Sequence, residues 1–372
     1  MPVEILKDGI ISRRTEGSFR YHAWGTVAKL TDGTLAAGIS AGRHWHIDGF
    51  GKSFLFLSKD EGETWSCPIV VNDSWMDDRD VGVTALPNNG LLLTWFTTGY
   101  DLLDQKVNWN KEHMAEGEFE MMQAYRKAAI VNPEEKDGRY CRVSHDGGLT
   151  WSEPRATPVG SPHGPTVLQD GSLFWLGRGP KAIQAYRSAD EGVTWEHLGD
   201  VPQAPLTNMS NLFEPHAVQL PSGRIFGVIR YEHSPNNQPK EYYPQNIFFT
   251  HSDDGGKTWS EPVYHNCHGG PAHLMVHSSG ALICSYNRRD TGTLWYGPGE
   301  RVIISWDEGE TWSEDVEISR APNDWDMGYP STVELSDGSL LTAYYQKWQD
   351  VNDFNKADTK PSFLYTKWRL KK

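Results

Sequence analysis

Short apolar runs recur along the whole chain and are cut by glycine, proline and aspartate. Six of them share one setting. Each opens directly after a turn glycine, at Gly33, Gly90, Gly171, Gly223, Gly280 and Gly338, and they read TLAAGIS, LLLTWF, SLFWLGR, RIFGVIR, ALICSYN and SLLTAYY in chain order. Runs of that length between turn residues have the pattern of buried β-strands. A second apolar stretch leads into each glycine, so each marks a hairpin. The copies recur at a mean period of about 60 residues, room for four strands and their loops.

A second repeat runs out of phase with the first. The motif Ser-x-Asp-x-Gly-x-Thr-Trp occurs at Ser58–Trp65, Ser144–Trp151, Ser188–Trp195, Ser252–Trp259 and Ser305–Trp312. Its chemistry is that of a tight β-turn: the aspartate accepts backbone N–H groups, the glycine takes positive φ, and the tryptophan packs beneath. Six hairpin glycines and five such turns predict an all-β fold, a single six-bladed β-propeller over residues 1–372. The sixth blade has no such turn; VEILKDGIIS at the N-terminal end is expected to supply its last strand, beside FLYTKWRL near the C-terminal end. One segment, about residues 101–137 in blade 2, breaks the period. It is rich in helix formers and reads as a helical insertion with Met114, Met121, Met122 and Tyr125 on one apolar face. That face is expected to pack on the propeller or on a second subunit of a homo-oligomer, or to form a lid.

Composition narrows the partners. A net charge of −14 argues against a nucleic-acid surface, which needs a basic stripe. It leaves room for a local arginine cluster facing an anionic ligand. The four cysteines are far apart, no apolar run is long enough for a membrane span, and the first residues lack the apolar core of a signal peptide. A cytoplasmic protein that binds neither membrane nor nucleic acid is the expectation.

In a propeller the innermost strands start at a central funnel, about nine residues before each turn glycine. There the chain places His22 and Trp24, then Asp78, Arg79 and Asp80, then His163, then Glu214 and His216, then His273, then Asp326 and Tyr329. Six convergent polar sets are more than blade packing requires. His44 and His46 alternate in His-Trp-His and would share one face of a strand. No cysteine or tight spacing accompanies the histidines, so substrate hydrogen bonding is expected of them, with no metal and no cofactor.

The Ser-x-Asp-x-Gly-x-Thr-Trp turns resemble the Asp-boxes of the sialidase (neuraminidase) superfamily, and the resemblance spans nearly the whole chain apart from the insertion. The segment Glu214–Arg230 resembles the stretch carrying that family's catalytic glutamate and second carboxylate-binding arginine. Arg301, before the fifth box, resembles the third arginine; Gly328-Tyr329-Pro330-Ser331 resembles the segment of the nucleophilic tyrosine; Gly42-Arg43 followed by Asp48 resembles the loop of the acid/base aspartate. The resemblance implies an exo-acting retaining glycosidase that releases a terminal acidic sugar from a glycan. Glu214 would take the proton of Tyr329, Tyr329 would attack the anomeric carbon, Asp48 would protonate the leaving oxygen, and Arg230 and Arg301 would grip a carboxylate. One departure stands out. Where the family carries its first arginine, this chain reads Tyr21-His22-Ala23-Trp24, so Arg43 or Arg79 must replace it or the carboxylate clamp is rebuilt. A polysaccharide lyase acting on a uronate, with His and Tyr as acid and base, and a non-catalytic glycan-binding propeller are the competing readings.

Overall fold

A computed structural model describes residues 2–99, 104–128, 137–232, 245–265, 267–289, 297–321, 324–350 and 353–371. Its strands, numbered β1–β24 in chain order, form six four-stranded antiparallel sheets. Five sheets are consecutive in sequence. They begin on the inner strands β2 (Tyr21–Lys29), β6 (Asp77–Leu86), β10 (Thr166–Val167), β14 (Leu212–Gln219) and β18 (Ala272–Val276). The sixth starts on β22 (Gly328–Glu334), continues through β23 (Leu340–Asp350) and β24 (Asp353–Leu370), and ends on β1 (Val3–Ser12). The strand β1 runs antiparallel to β24 from Val3 opposite Leu370 to Ser12 opposite Phe363, so the two ends of the chain close the ring as the sequence led us to expect.

The same connectivity explains the missing sixth Asp-box. Each box joins the third strand of a blade to its fourth. In blade 6 those two strands are the last and the first of the chain, and no covalent turn links them.

The five boxes are built alike. In the first, Asp60 accepts the Thr64 N–H at 2.9 Å and the Thr64 hydroxyl at 2.5 Å, while Ser58 Oγ accepts the Gly62 N–H at 2.8 Å and donates to Asp60 at 2.8 Å. The threonine hydroxyl, then the threonine N–H and the serine hydroxyl, hold the Asp60, Asp146 and Asp307 carboxyls down to about 2. Two consecutive left-handed residues shape each turn, Glu61 (φ 58°) and Gly62 (φ 87°) in the first.

The motif glycine, the second of the two, also has a packing role. A Cβ on Gly62 would lie 2.7 Å from Leu341 of blade 6, on Gly148 2.7 Å from Leu55 of blade 1, on Gly256 2.6 Å from Phe174 of blade 3, and on Gly309 2.4 Å from Phe226 of blade 4. The box is thus the point where one blade presses on the apolar body of the blade before it.

The insertion folds into α1 (Val107–His113) and α2 (Glu118–Ala128); its ends, 101–103 and 129–136, lie outside the described residues. Met114 and Met122 are buried with Ile47 against Trp45, Phe50 and Trp109, and Tyr125 stacks on Phe50 at 4.0 Å. Buried Asn110 donates to the Ile47 carbonyl at 3.1 Å. The apolar face is therefore spent on blade 1 of its own chain. Met121 departs from the expected face and is exposed. Among the described residues no helix is long and apolar enough to cross a membrane. The four cysteines are unpaired thiols, with Cys67 exposed and the other three buried.

Gly309→Ala tests the inter-blade role of the box. It forces a left-handed alanine and a 2.4 Å approach to the Phe226 ring. Thermal and denaturant unfolding are expected to show a loss of about 1–3 kcal/mol. Gly33→Ala is the control, because its φ is equally positive at 90° and nothing lies near its Cβ; its loss should be the smaller.

Candidate functional site

Four inner strands carry the same irregularity just where they meet the funnel. Trp24 (φ 56°), Asp80 (φ 53°), Glu214 (φ 46°) and Tyr329 (φ 56°) are left-handed non-glycine residues on blades 1, 2, 4 and 6. Each coincides with a register slip against the second strand: between Ala23 and Thr26, Arg79 and Gly82, Phe213 and His216, and Gly328 and Ser331. Such a bulge re-aims one side chain out of the pleat, at a cost of about 1–3 kcal/mol per residue that the surrounding sheet must offset. Four such kinks at equivalent positions mark these residues as the ones the fold directs to its centre.

Three of the four come together. The Tyr329 hydroxyl donates to Glu214 Oε1 at 2.5 Å, and Arg230 donates to Glu214 Oε2 at 2.5 Å and to Glu232 at 2.6 Å. Burial, and then the charges of Glu214 and Asp80, push the Tyr329 phenol well above its ordinary range. Asp80 and Glu214 both line a cleft of about 460 Å³ between blades 2, 3 and 4, walled by Trp95, Phe96, Trp175 and Phe213. The Asp80 carboxyl is raised well above the usual carboxylate range, by burial first and then by Glu214, against the pull of Arg79, Arg43 and Arg230. Its neighbour Asp78 points the other way, into hydrogen bonds with Asn72, Ser74 and Thr97.

The fourth kink is closed off. Trp24 is 2% exposed, with the guanidinium carbons of Arg79 and Arg43 4.0 and 4.7 Å from its ring centre. Arg43 is fully buried and bonded to Asp77 and to the His46 carbonyl. Arg79 bonds to the same carbonyl and to Asp77. Neither arginine takes the place of the missing blade-1 arginine as an open carboxylate clamp, because Asp77, which drew no attention in the sequence, neutralises both. His22 is also turned away: it is buried, bonds to Ser12 Oγ and the Arg20 carbonyl, and is held down to about 4 by burial.

Two further expectations are corrected. Asp48 has no exposed surface; its carboxylate accepts from the His44 N–H at 2.6 Å and the Phe50 N–H at 3.1 Å, and pairs with the His44 ring at 2.6 Å. It anchors a turn and is not among the residues that line the cleft. Arg301 sits on the third strand of blade 5, paired with Glu317 at 3.0 Å and Asp315 at 3.4 Å, away from the residues that line the cleft.

The histidines divide. His46 bonds to Asp326 at 3.1 Å and Tyr21 at 2.9 Å, with Tyr345 donating to the same aspartate at 3.1 Å, and its ring packs edge-on against Trp24. Burial works against the charge of Asp326, but His46 and Tyr21 outweigh it and hold the carboxyl below its usual range. His163, His216 and His273 cluster on the axis with ring centres 4.5–5.6 Å apart, all lowered by burial. His216 and His273 stack, and each accepts a backbone N–H at Nδ1, from Leu274 and Thr332. His163 meets both of them edge-on, so the three rings pack against one another. Among the described residues no group of His, Cys, Asp and Glu is placed to hold a metal ion.

A family model described as the BNR/Asp-box repeat matches residues 142–153 and 250–261. Among solved structures, a protein of unknown function from Dyadobacter fermentans superposes with a TM-score of 0.75 at 17% identity over 100% of both chains. The NanB sialidase of Streptococcus pneumoniae superposes at 0.65 and 14% identity, over 99% of this chain and 71% of that one. The α-L-arabinofuranosidase of Fusarium graminearum superposes at 0.60 and 13% identity, over 96% and 97%. No curated protein sequence matches the chain. The chain is an Asp-box, six-bladed propeller of the sialidase fold.

Two residues of this sialidase-fold cleft were not singled out from the sequence. Arg139 and Arg178 both line it. A signal for Arg178 exists: it stands seven residues after its turn glycine, Gly171, as Arg230 stands seven after Gly223. Arg139 follows the insertion and has no such register to mark it.

The state of Asp80 is testable through stability. A buried acid with a raised folded-state pKa favours the folded protein less as pH rises from the ordinary carboxylate value through the raised one. Asp80→Asn removes that penalty. Relative to the natural protein, the variant should gain melting temperature at pH 8 and lose the advantage near pH 4, where both forms are neutral; a pH-independent difference would contradict the raised value.

Proposed function

We propose that the protein is an exo-acting retaining glycoside hydrolase that releases a terminal acidic sugar. One observation carries this: two carboxyls share a cleft with different surroundings. Asp80 is biased toward its protonated form by burial and by Glu214. Glu214 is held as an acceptor by Arg230 and the Tyr329 hydroxyl. Glycoside cleavage needs that division of labour, a proton donor for the leaving oxygen and an electron-rich group at the anomeric carbon. Asp80 takes the acid/base role that the sequence resemblance gave to Asp48. It donates its proton as the glycosidic bond breaks, and as a carboxylate it then takes a proton from the water that releases the sugar.

The attacking group lies within the Tyr329–Glu214 couple. In one arrangement Glu214 accepts the phenolic proton and the Tyr329 oxygen bonds to the anomeric carbon; the 2.5 Å hydrogen bond between them supports it. In the other, Glu214 bonds to the anomeric carbon and Tyr329 only orients it. Tyr329 is 4% exposed and Glu214 itself reaches the cleft wall, which favours the second.

A screen of aryl glycosides of sialic, deoxynonulosonic and uronic acids tests the proposal. Glu214→Gln and Asp80→Asn should each lower kcat/KM by about 10³-fold or more, the Asp80 variant least on substrates with a good leaving group. Proton NMR of the first-formed product should show the starting anomer. Tyr329→Phe separates the two arrangements: a loss as large as that of Glu214→Gln means tyrosine attack, and a loss of about tenfold means carboxylate attack. An unsaturated, ultraviolet-absorbing product would replace the hydrolase with a lyase, and binding without turnover of any glycoside would leave a glycan-binding propeller.

A further inference from the structure

The cationic side chains in and around the cleft fall into two groups. Arg230, Arg43, Arg79, Arg301 and Arg288 each have a carboxylate partner within the protein. Arg139 and Arg178 line the cleft itself, and among the described residues neither has an acidic group within ion-pair distance. Both are pushed below the usual guanidinium range by burial, Arg178 further by the positive charge of Arg139 and against the pull of Glu214. Two like charges beside each other in a half-buried wall repel, and the carboxyls that share the cleft, Glu214, Asp80 and Asp137, make no ion pair with either among the described residues.

The two are held in place. Arg178 donates from Nε to the Leu212 carbonyl at 3.0 Å and from Nη2 to the Met209 carbonyl at 2.7 Å, and lies over the Phe213 ring at 4.8 Å. Its Nη1 has no partner among the described residues. Arg139 lies along Gly160, where a Cβ would come within 2.8 Å of its Cδ; the Gly160 backbone in turn bridges to that of Arg178. The glycine thus leaves room for one arginine while its main chain carries the other. A preorganised fork with free N–H groups matches a planar carboxylate better than a neutral hydroxyl.

We infer that Arg139 and Arg178 form an oxyanion subsite on blades 2 and 3 that binds the carboxylate of the sugar held in the cleft. This rests on the glycosidase reading for the sugar's place, and it puts the recognition of acidity on different blades from the arginines that the sequence resemblance pointed to. A sulfate ester offers the same oxyanion chemistry, and the test distinguishes them.

Equilibrium binding, which does not depend on turnover, is measured by calorimetry with free N-acetylneuraminate, glucuronate, N-acetylglucosamine 6-sulfate and glucose. The natural protein and Glu214→Gln should bind one of the carboxylates, more weakly as salt rises, and bind glucose at least about tenfold less tightly. Arg139→Gln and Arg178→Gln should each lose about tenfold or more in that affinity, and Arg178→Lys should recover only part of it. Melting curves matching the natural protein exclude misfolding, and the lysine variant serves where glutamine fails to fold. Unchanged carboxylate binding in the arginine variants overturns the subsite, as does preference for the sulfated sugar. Carboxylate binding that depends on both arginines in a protein that cleaves no glycoside would retain the subsite and overturn only the hydrolase reading.

Discussion

Ring closure is the constraint on which everything else depends. A funnel lined by six inner strands exists only if blade 6 is complete, and its third and fourth strands come from opposite ends of the chain. Ten residues of β1 laid along β24 do this, with Arg13 to Asp358 and Lys367 to Glu63 adding ion pairs between distant parts of the sequence. The five Asp-boxes maintain the spacing around the rest of the ring, because the motif glycine of each lets its turn press on the apolar body of the preceding blade. Each four-stranded sheet keeps its edges, but the ring leaves them short and sets every blade between two neighbours.

Once the ring is closed, chemistry is a matter of which side chains leave the pleat. An inner strand in regular register turns alternate residues to opposite faces. The left-handed kinks at Trp24, Asp80, Glu214 and Tyr329 break that register at one level. Three of the kinks deliver an acid, a carboxylate and a phenol to a common site, and the fourth is plugged by tryptophan between two arginines that Asp77 neutralises. Strain at these four positions is consistent with function outweighing local stability there.

The insertion shows how a local signal and a global outcome diverge. Its helical character was legible from composition, and Met114, Met122 and Tyr125 do share a packed face. What that face covers was not legible. It lies on Trp45, Ile47 and Phe50, so it braces the loop that carries His46 at the funnel rim.

The sequence by itself determined the number of blades, their order, the place of the closing strand and the chemistry of the outer turns. These depend on periodicity and on contacts within a few residues, such as Asp60 with Thr64, and a chain repeats them openly. It also marked Glu214 and Tyr329 by their common distance from a turn glycine. Only the tertiary structure decided which acid faces the cleft and which arginines are ion-paired. Asp48 and Asp80 were both candidates in the sequence, but one is consumed by His44 and Phe50 and the other opens to a cavity. Arg43 and Arg79 are spent on Asp77, while Arg139 and Arg178 line the cleft without an ion pair among the described residues. A charge is useful or neutralised according to what lies within about 4 Å of it. In a ring of blades those neighbours come from far along the chain, as the 115 residues between Glu214 and Tyr329 show.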